Sequence, residues 1–495
     1  MHLLQPERHS RRAFLQRSGQ LALSGAALPL ALNLAAMGEA AAFNTTAGDY
    51  KALVCVFLYG GNDFANTVIP YDTTAYDAYS SIRGGGAGRT AGGIALAQSA
   101  LATTLLVPAT VPLDSQGVGR QFALNPAMAA LKDLFNAGQA AVQFNVGPLV
   151  VPLTREQYDN SNHVLYPRPP QLFSHNDQQS VWQSSSPEGS TVGWGGNMAD
   201  LALGLNTAAT FSCISVTGNA VFLSGDTALQ YQVSTAGAIR INAAAAGASV
   251  YGSTAVGSAL NGLIRQTRTH VLENEYNKVS ARSMAAEASV SAALAQTETW
   301  TMPFPTDSLG QQLRMVARLL KGRSTLGARR QVFMVSVGGF DLHDNLIRDH
   351  GGLLGNVSAA MNAFYKATVD LGLASQVTAF TASDFGRTLA SNGDGSDHGW
   401  GSHHLAVGGA VAGQKFYGTA PPMSTSDAKD TSGKYLPQNQ WHVGQGRLLP
   451  STSVDQYAAT LAKWFGVSAS ELSGVLPNIV NFGGAGYPTD LGFMA

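Results

Sequence analysis

Three aspartates in this 495-residue chain each stand just beyond an apolar run. Asp63 follows Tyr59-Gly60-Gly61-Asn62, Asp341 follows Gly338-Gly339-Phe340, and Asp384 follows Ala382-Ser383. Two of the three arrive through glycine pairs, which let the backbone turn sharply and come close to a ligand. His343 lies two residues after Asp341, and the segment Asp397-His398-Gly399-Trp400-Gly401-Ser402-His403-His404 gathers three of the eleven histidines. Carboxylates with imidazoles are the ligand set of Zn²⁺, Mn²⁺ and related divalent ions. Such an ion polarises an ester oxygen or acidifies a bound water. Singly, each residue has a plainer reading. An aspartate after a strand caps the next helix, and a histidine-rich loop is solvated. Together they point to a metal or anion site.

These residues act together only if the chain brings them to one edge. Apolar runs over 52–58, 140–146, 211–216, 331–337, 377–381 and 405–411 are continuous, not alternating. That pattern suits strands buried on both faces of a parallel sheet. Ligands of an open parallel sheet bind beyond the carboxyl ends of its strands, where the three aspartates fall. Helix punctuation lies between the runs: Asn125-Pro126 opens a helix that Gly138 ends, 353–371 reads as another, and Ser453 caps one running to Phe465. The expected fold is α/β, doubly wound, with a mainly parallel sheet and helices on both faces. Residues 43–183 and 306–495 form its core. The Ala/Gly-rich stretch 184–305, helical over 258–297, reads as an insertion or cap.

Four motifs carry a family resemblance. They are Gly60-Gly61-Asn62-Asp63, Gly339-Phe340-Asp341-Leu342-His343, Ser383-Asp384-Phe385-Gly386-Arg387-Thr388 and Asp397-His398-Gly399-Trp400. With Gly446-Arg447-Leu448-Leu449-Pro450 and Ser453-Val454-Asp455-Gln456-Tyr457, they resemble the hallmarks of the DUF1501 family across nearly the whole chain after its leader. That family is thought to belong to the alkaline phosphatase-like superfamily of sulfatases, phosphodiesterases and phosphomutases. The resemblance implies one or two divalent ions (Zn, Mn, Mg or Ca). Asp63 would bind one; Asp341, with His343 or His350, would bind a second or shared one. Asp384, His398 and His403 would complete the set. Two departures stand out: Asp384 is followed by Phe385 where superfamily members often carry His, and Asp341 and His343 are only two apart. The superfamily's nucleophile sits at a helix N-terminus. Here that implies Ser174, after Pro169-Pro170, although the same serine could simply cap its helix with Asp177 as capping-box partner. Thr67 is a poorer choice, and no Cys-x-Pro-x-Arg sequence is present. Arg387 would bind a phosphate or sulfate oxygen, or hold Asp384.

The N-terminus supplies an address. Arg11-Arg12 precede Phe14-Leu15, then a short apolar stretch and Ala40-Ala41-Ala42. That order marks 1–42 as a twin-arginine signal peptide, with the Tat translocase as a transient partner and the periplasm or beyond as destination. The stretch is too short and too rich in Ala and Gly for a stable membrane span. A net charge of -1 gives no reason to expect nucleic acid or anionic membrane as a partner. Cys55 and Cys213 lie in apolar runs and read as buried small hydrophobes, not a disulfide. The expected function is an exported metal-dependent hydrolase of phosphate or sulfate esters on a small molecule or polymer. The alternatives are a non-catalytic surface or matrix protein with a structural metal, and a polysaccharide-associated factor stacking sugars on Trp194, Trp400 or Trp441.

Overall fold

The computed structural model describes residues 43, 49–245, 247–484 and 486–495; the expected signal segment 1–42 lies outside them. Five strands organise the site: β1 (Lys51–Leu58), β2 (Ala140–Gly147), β3 (Arg330–Val337), β4 (Val377–Ser383) and β5 (Ser402–Gly408). They sit in a ten-stranded sheet of order Lys415–Tyr417, β2, β5, β4, β1, β3, Cys213–Ser215, Tyr231–Ser234, Gly237–Ala238, with Thr452–Ser453 beside β2. The sheet is mostly parallel, and β1 lies parallel between β4 and β3. Leu58 is level with Val337 on one side and Ser383 on the other, so Tyr59, Gly338 and Asp384 leave at one edge.

Both faces are covered, as the unbroken apolar runs require. Ala52, Val54, Val56 and Leu58 pack into one core with helices α1 (Ser308–Lys321) and α2 (Leu346–Asp370). Leu53, Cys55 and Phe57 point the other way, onto α3 (Val454–Phe465). The period of two along one strand thus feeds two hydrophobic layers. Ser453 caps α3 in a reciprocal capping box with Gln456. Cys55 and Cys213 are buried free thiols, and burial pushes both up.

Three expectations change. The run 405–411 is not a parallel strand: β5 covers Ser402–Gly408 and is antiparallel to both β2 and β4. The chain reaches it from a two-stranded hairpin, Arg387–Ser391 with Ser396–His398, beyond the carboxyl edge. A short return from that edge can only run back down the sheet. Helix α2 begins at Leu346 instead of 353 and runs through Gly351-Gly352, since buried Leu346, His350 and Leu354 hold its early turns to the core. Lastly, the early part of 184–305 is built into the sheet. Cys213–Ser215 pairs with β3, and Trp194, Met198 and Phe222 pack in the same core as α3. The helices Thr254–Arg265 and Val271–Leu294 form the more exposed remainder.

Gly60 shows how tightly the edge is made. It has φ +115°, and a Cβ there would lie 2.3 Å from the Asp341 backbone nitrogen. Gly60→Ala combines left-handed strain with a backbone clash, and is expected to cost roughly 3 kcal/mol or more. A urea unfolding midpoint measures it; a shift under about 1 kcal/mol would contradict the close approach.

Candidate functional site

The carboxyl edge draws side chains from four distant segments. The helix α4 (His175–Ser184) begins with His175, the turn after β3 brings Asp341 and His343, Asp384 follows the last residue of β4, and the hairpin ends at His398. Each histidine is anchored through Nδ1. His175 Nδ1 is 2.6 Å from Asp384 Oδ2, His398 Nδ1 is 2.7 Å from the Phe173 carbonyl oxygen, and His343 Nδ1 is 3.2 Å from Asp397 Oδ1. A carboxylate or carbonyl only accepts, so each Nδ1 carries a proton, and a ring in its neutral form keeps a lone pair on Nε2.

Those lone pairs converge. His398 Nε2 lies 3.1 Å from His175 Nε2 and 3.0 Å from His343 Nε2. Asp341 Oδ1 is 3.0 Å from His343 Nε2 and 3.2 Å from His398 Nε2, and Oδ2 is 3.4 Å from His175 Nε2. Lone pairs facing one another beside a carboxylate repel unless positive charge lies between them. A tetrahedral ion with bonds of about 2.0–2.1 Å sets its ligands roughly 3.3–3.4 Å apart, close to these edges. The anchoring of Nδ1 by carboxylate or carbonyl is also the usual outer shell of a metal-bound histidine. His175, Asp341 and His398 offer ligand atoms all within 4.8 Å of one another among the described residues. The residues present therefore fit a divalent ion.

Asp384 stands behind His175, not beside the converging atoms. Its Oδ2 accepts from His175 Nδ1, the Gly60 N–H at 3.2 Å and Gln179 Nε2 at 2.8 Å, while its buried Oδ1 has no hydrogen-bond partner. This carboxylate lifts His175 above the ordinary imidazole range, whereas burial pushes His398 below it. Arg387 is fully buried and engaged. It donates to Asp341 Oδ1 at 2.6 Å, to the Gly60 carbonyl at 3.0 Å and to the Ser396 carbonyl. It is thus placed to hold Asp341, not to clasp a substrate oxygen. Burial favours the neutral acid of Asp341, but Arg387 and the histidines hold its carboxyl below the usual range.

Two expected ligands lie elsewhere. Asp63 is buried against Arg83 at 2.7 Å, accepts from the Asn66 N–H and Ser396 Oγ, and caps the turn Phe64–Asn66. Burial raises its carboxyl, but Arg83 and His350 together bring it below the usual range. His403 belongs to β5, with its ring against Phe64 and Phe144 and its Nδ1 accepting from the Asn145 N–H at 3.1 Å. The antiparallel return of β5 carries it into the core. His350 is also buried, with Nε2 3.0 Å from Asn62 Oδ1. Ser174 opens α4 but makes no capping bond; its hydroxyl donates to Asp177 Oδ2 at 2.9 Å. Nothing in the sequence pattern singles out His175 except its place beside Ser174. Trp194 and Trp400 are buried, so neither offers a face to a sugar.

The buried histidines predict acid sensitivity. Burial pushes His350 down to about 4, and His403 and His404 to about 3. Their folded values lie below the unfolded value of about 6.5, so their stabilisation is present above that pH and is lost as pH falls through it. By pH 5 each withdraws about 2 kcal/mol. Asp455, raised by burial to about 6, and His175 act in the opposite direction. Urea unfolding at pH 7.5 and pH 5 should show a net loss, and His404→Leu should shrink that difference by about 2 kcal/mol. An unchanged difference would contradict the burial argument.

A family model described as "Protein of unknown function (DUF1501)" matches residues 50–435. No curated protein sequence matches the chain. Among solved structures, that of Ps i-CgsB in complex with k-i-k-neocarrahexaose aligns with 87% of this chain and 76% of that chain, at 9% identity and TM-score 0.33. A likeness that low bears on neither fold nor function.

Proposed function

Because the chain belongs to the DUF1501 family, which is described only as being of unknown function, we propose its activity from the site itself: an exported metal-dependent hydrolase of phosphate or sulfate esters, with an alkaline phosphatase-like core. The observation that supports this most is the convergence of three anchored imidazoles on Asp341 beyond the carboxyl ends of β1, β3 and β4. His175, His398 and Asp341 would hold the ion, with His343 beside them. Bound there, a divalent ion supplies Lewis-acid polarisation of an ester oxygen and a lowered water pKa. The surrounding residues orient the donors. Asp384 fixes the His175 ring, the Phe173 carbonyl fixes His398, and Arg387 fixes Asp341. Ser174 stands one residue from His175 with its hydroxyl on Asp177, a pairing in which the carboxylate can take the proton as the oxygen attacks.

A second reading is a surface or matrix protein in which the ion is structural. The engagement of Arg387, whose nitrogens all donate to Gly60, Asp341 or Ser396, favours it. One experiment separates the two. Divalent metal in the purified protein is counted, and turnover of p-nitrophenyl phosphate and sulfate is followed with and without chelator. Chelator-sensitive turnover is the expected result. Metal without turnover selects the structural reading, and neither metal nor turnover defeats both. Ser174→Ala should abolish turnover; full activity in that variant removes Ser174 as nucleophile.

A further inference from the structure

Beside the histidine cluster lies a cavity of about 430 Å³ that the ester chemistry above does not use. Tyr158, His163, Arg168, Leu172 and Phe173 line it with two prolines, and its lining holds no carboxylate. Its volume lies in the range of small-molecule sites. Phe173 joins the two places: it lines the cavity and its carbonyl accepts from His398 Nδ1 at 2.7 Å. The backbone is strained to do both. Phe173 has φ 74° and Gln171 φ 44°, a conformation that bulky side chains rarely adopt and that gathers at functional sites. The Arg447 guanidinium lies 5.2 Å from the Phe173 ring centroid, and its Nε donates to the His398 carbonyl. Behind the cavity, Tyr158, Leu172 and Phe173 pack on a small buried cluster around Trp400, which fixes the wall.

An arginine with no acid beside it favours an anion, and the aromatic and guanidinium planes suit a flat ring with an anionic or hydroxylated rim. We propose that this cavity is the leaving-group subsite: it seats the six-membered ring of an anionic ester against Phe173 and the Arg168 guanidinium, which itself rests on the Tyr158 ring at 4.2 Å, with the ester group directed at His175, His398 and Asp341. The assignment rests on the hydrolase reading, and its test keeps the two apart.

Phenylphosphonate and methylphosphonate present the same anion with and without a ring, and neither is hydrolysed. Titrated calorimetrically into the Zn²⁺-loaded protein, phenylphosphonate should bind at least tenfold more tightly. Tyr158→Ala and Phe173→Leu, each checked for an unaltered melting curve, should bring the two affinities within about twofold. Equal affinities in the unmodified protein, no binding of either, or a preference that survives both variants would overturn the subsite. Adding glucose 6-phosphate as competitor separates the sources of the ring: displacement of phenylphosphonate shows that a pyranose fits, and no displacement restricts the site to aryl rings. Phenyl and methyl phosphate then test the rest. Turnover of both at equal kcat/KM would keep the hydrolase and remove the subsite. A ring preference in binding with no turnover of either would remove the hydrolase and leave the cavity assigned.

Discussion

His175→Ala is expected to strip the divalent ion from the purified protein and to abolish ester turnover with it. The variant removes one of the atoms that converge on His398 and Asp341, and frees the partner of Asp384. Asp384→Asn should do less. It leaves all converging atoms in place but weakens the anchor on His175 Nδ1, an outer-shell change that typically lowers metal affinity about 10–100-fold. His403→Leu, in the core, should retain the metal. Metal counted per folded protein, against a dialysis series of free ion, reads all three. Full occupancy in His175→Ala, or greater loss in His403→Leu than in Asp384→Asn, would overturn the assignment.

Asp63→Asn should act on stability, not on metal. Arg83 is completely buried, and its Nη2 is held by Asp63 Oδ2 at 2.7 Å. Removing the carboxylate strands a buried charge, which typically costs about 3–5 kcal/mol. The Ser396 hydroxyl and the Asn66 N–H lose a charged acceptor as well. Urea unfolding should show a large fall in midpoint, while metal per folded molecule stays at the native value. Adding Arg83→Met to Asp63→Asn should recover much of the loss, since a well-packed apolar replacement removes the uncompensated charge. A variant that stays stable but loses its metal would return Asp63 to the ligand set.

These two variants also mark where the sequence speaks clearly. The strands β1, β3 and β4 announce themselves as unbroken apolar runs, and the residues after them lie at one edge because their registers are level. Asp341, His343 and Asp384 follow from that rule, and His398 from the histidine-rich segment beyond them. The division of labour among them does not. Whether an aspartate faces the cluster or stands behind a histidine depends on backbone turns of a few residues, such as those at Gly60 and Gly61. Asp63 satisfies the same rule as Asp341, yet the chain turns once more after Asn62 and buries it against Arg83. His403 misled because strand direction is invisible in a run of apolar residues: an antiparallel β5 takes inward what a loop would leave at the rim. His175 gave no periodic signal. It is the first residue of a helix whose position is fixed by the loop before it, with its left-handed Gln171 and Phe173.

The spread of the cluster along the chain has a mechanical side. His175 and His398 are 223 residues apart, and His398 and Asp341 are 57 apart. An ion bound to all three would close two long loops at once. Both cysteines are buried free thiols, so neither supplies such a closure. Closing a loop of about 100 residues restricts the unfolded chain by on the order of 4–5 kcal/mol in the chain-entropy account. Whatever chemistry occurs at the rim, the same ion would act as a covalent-like staple, joining the start of α4 to the carboxyl edge of the sheet and favouring the native state over the unfolded chain.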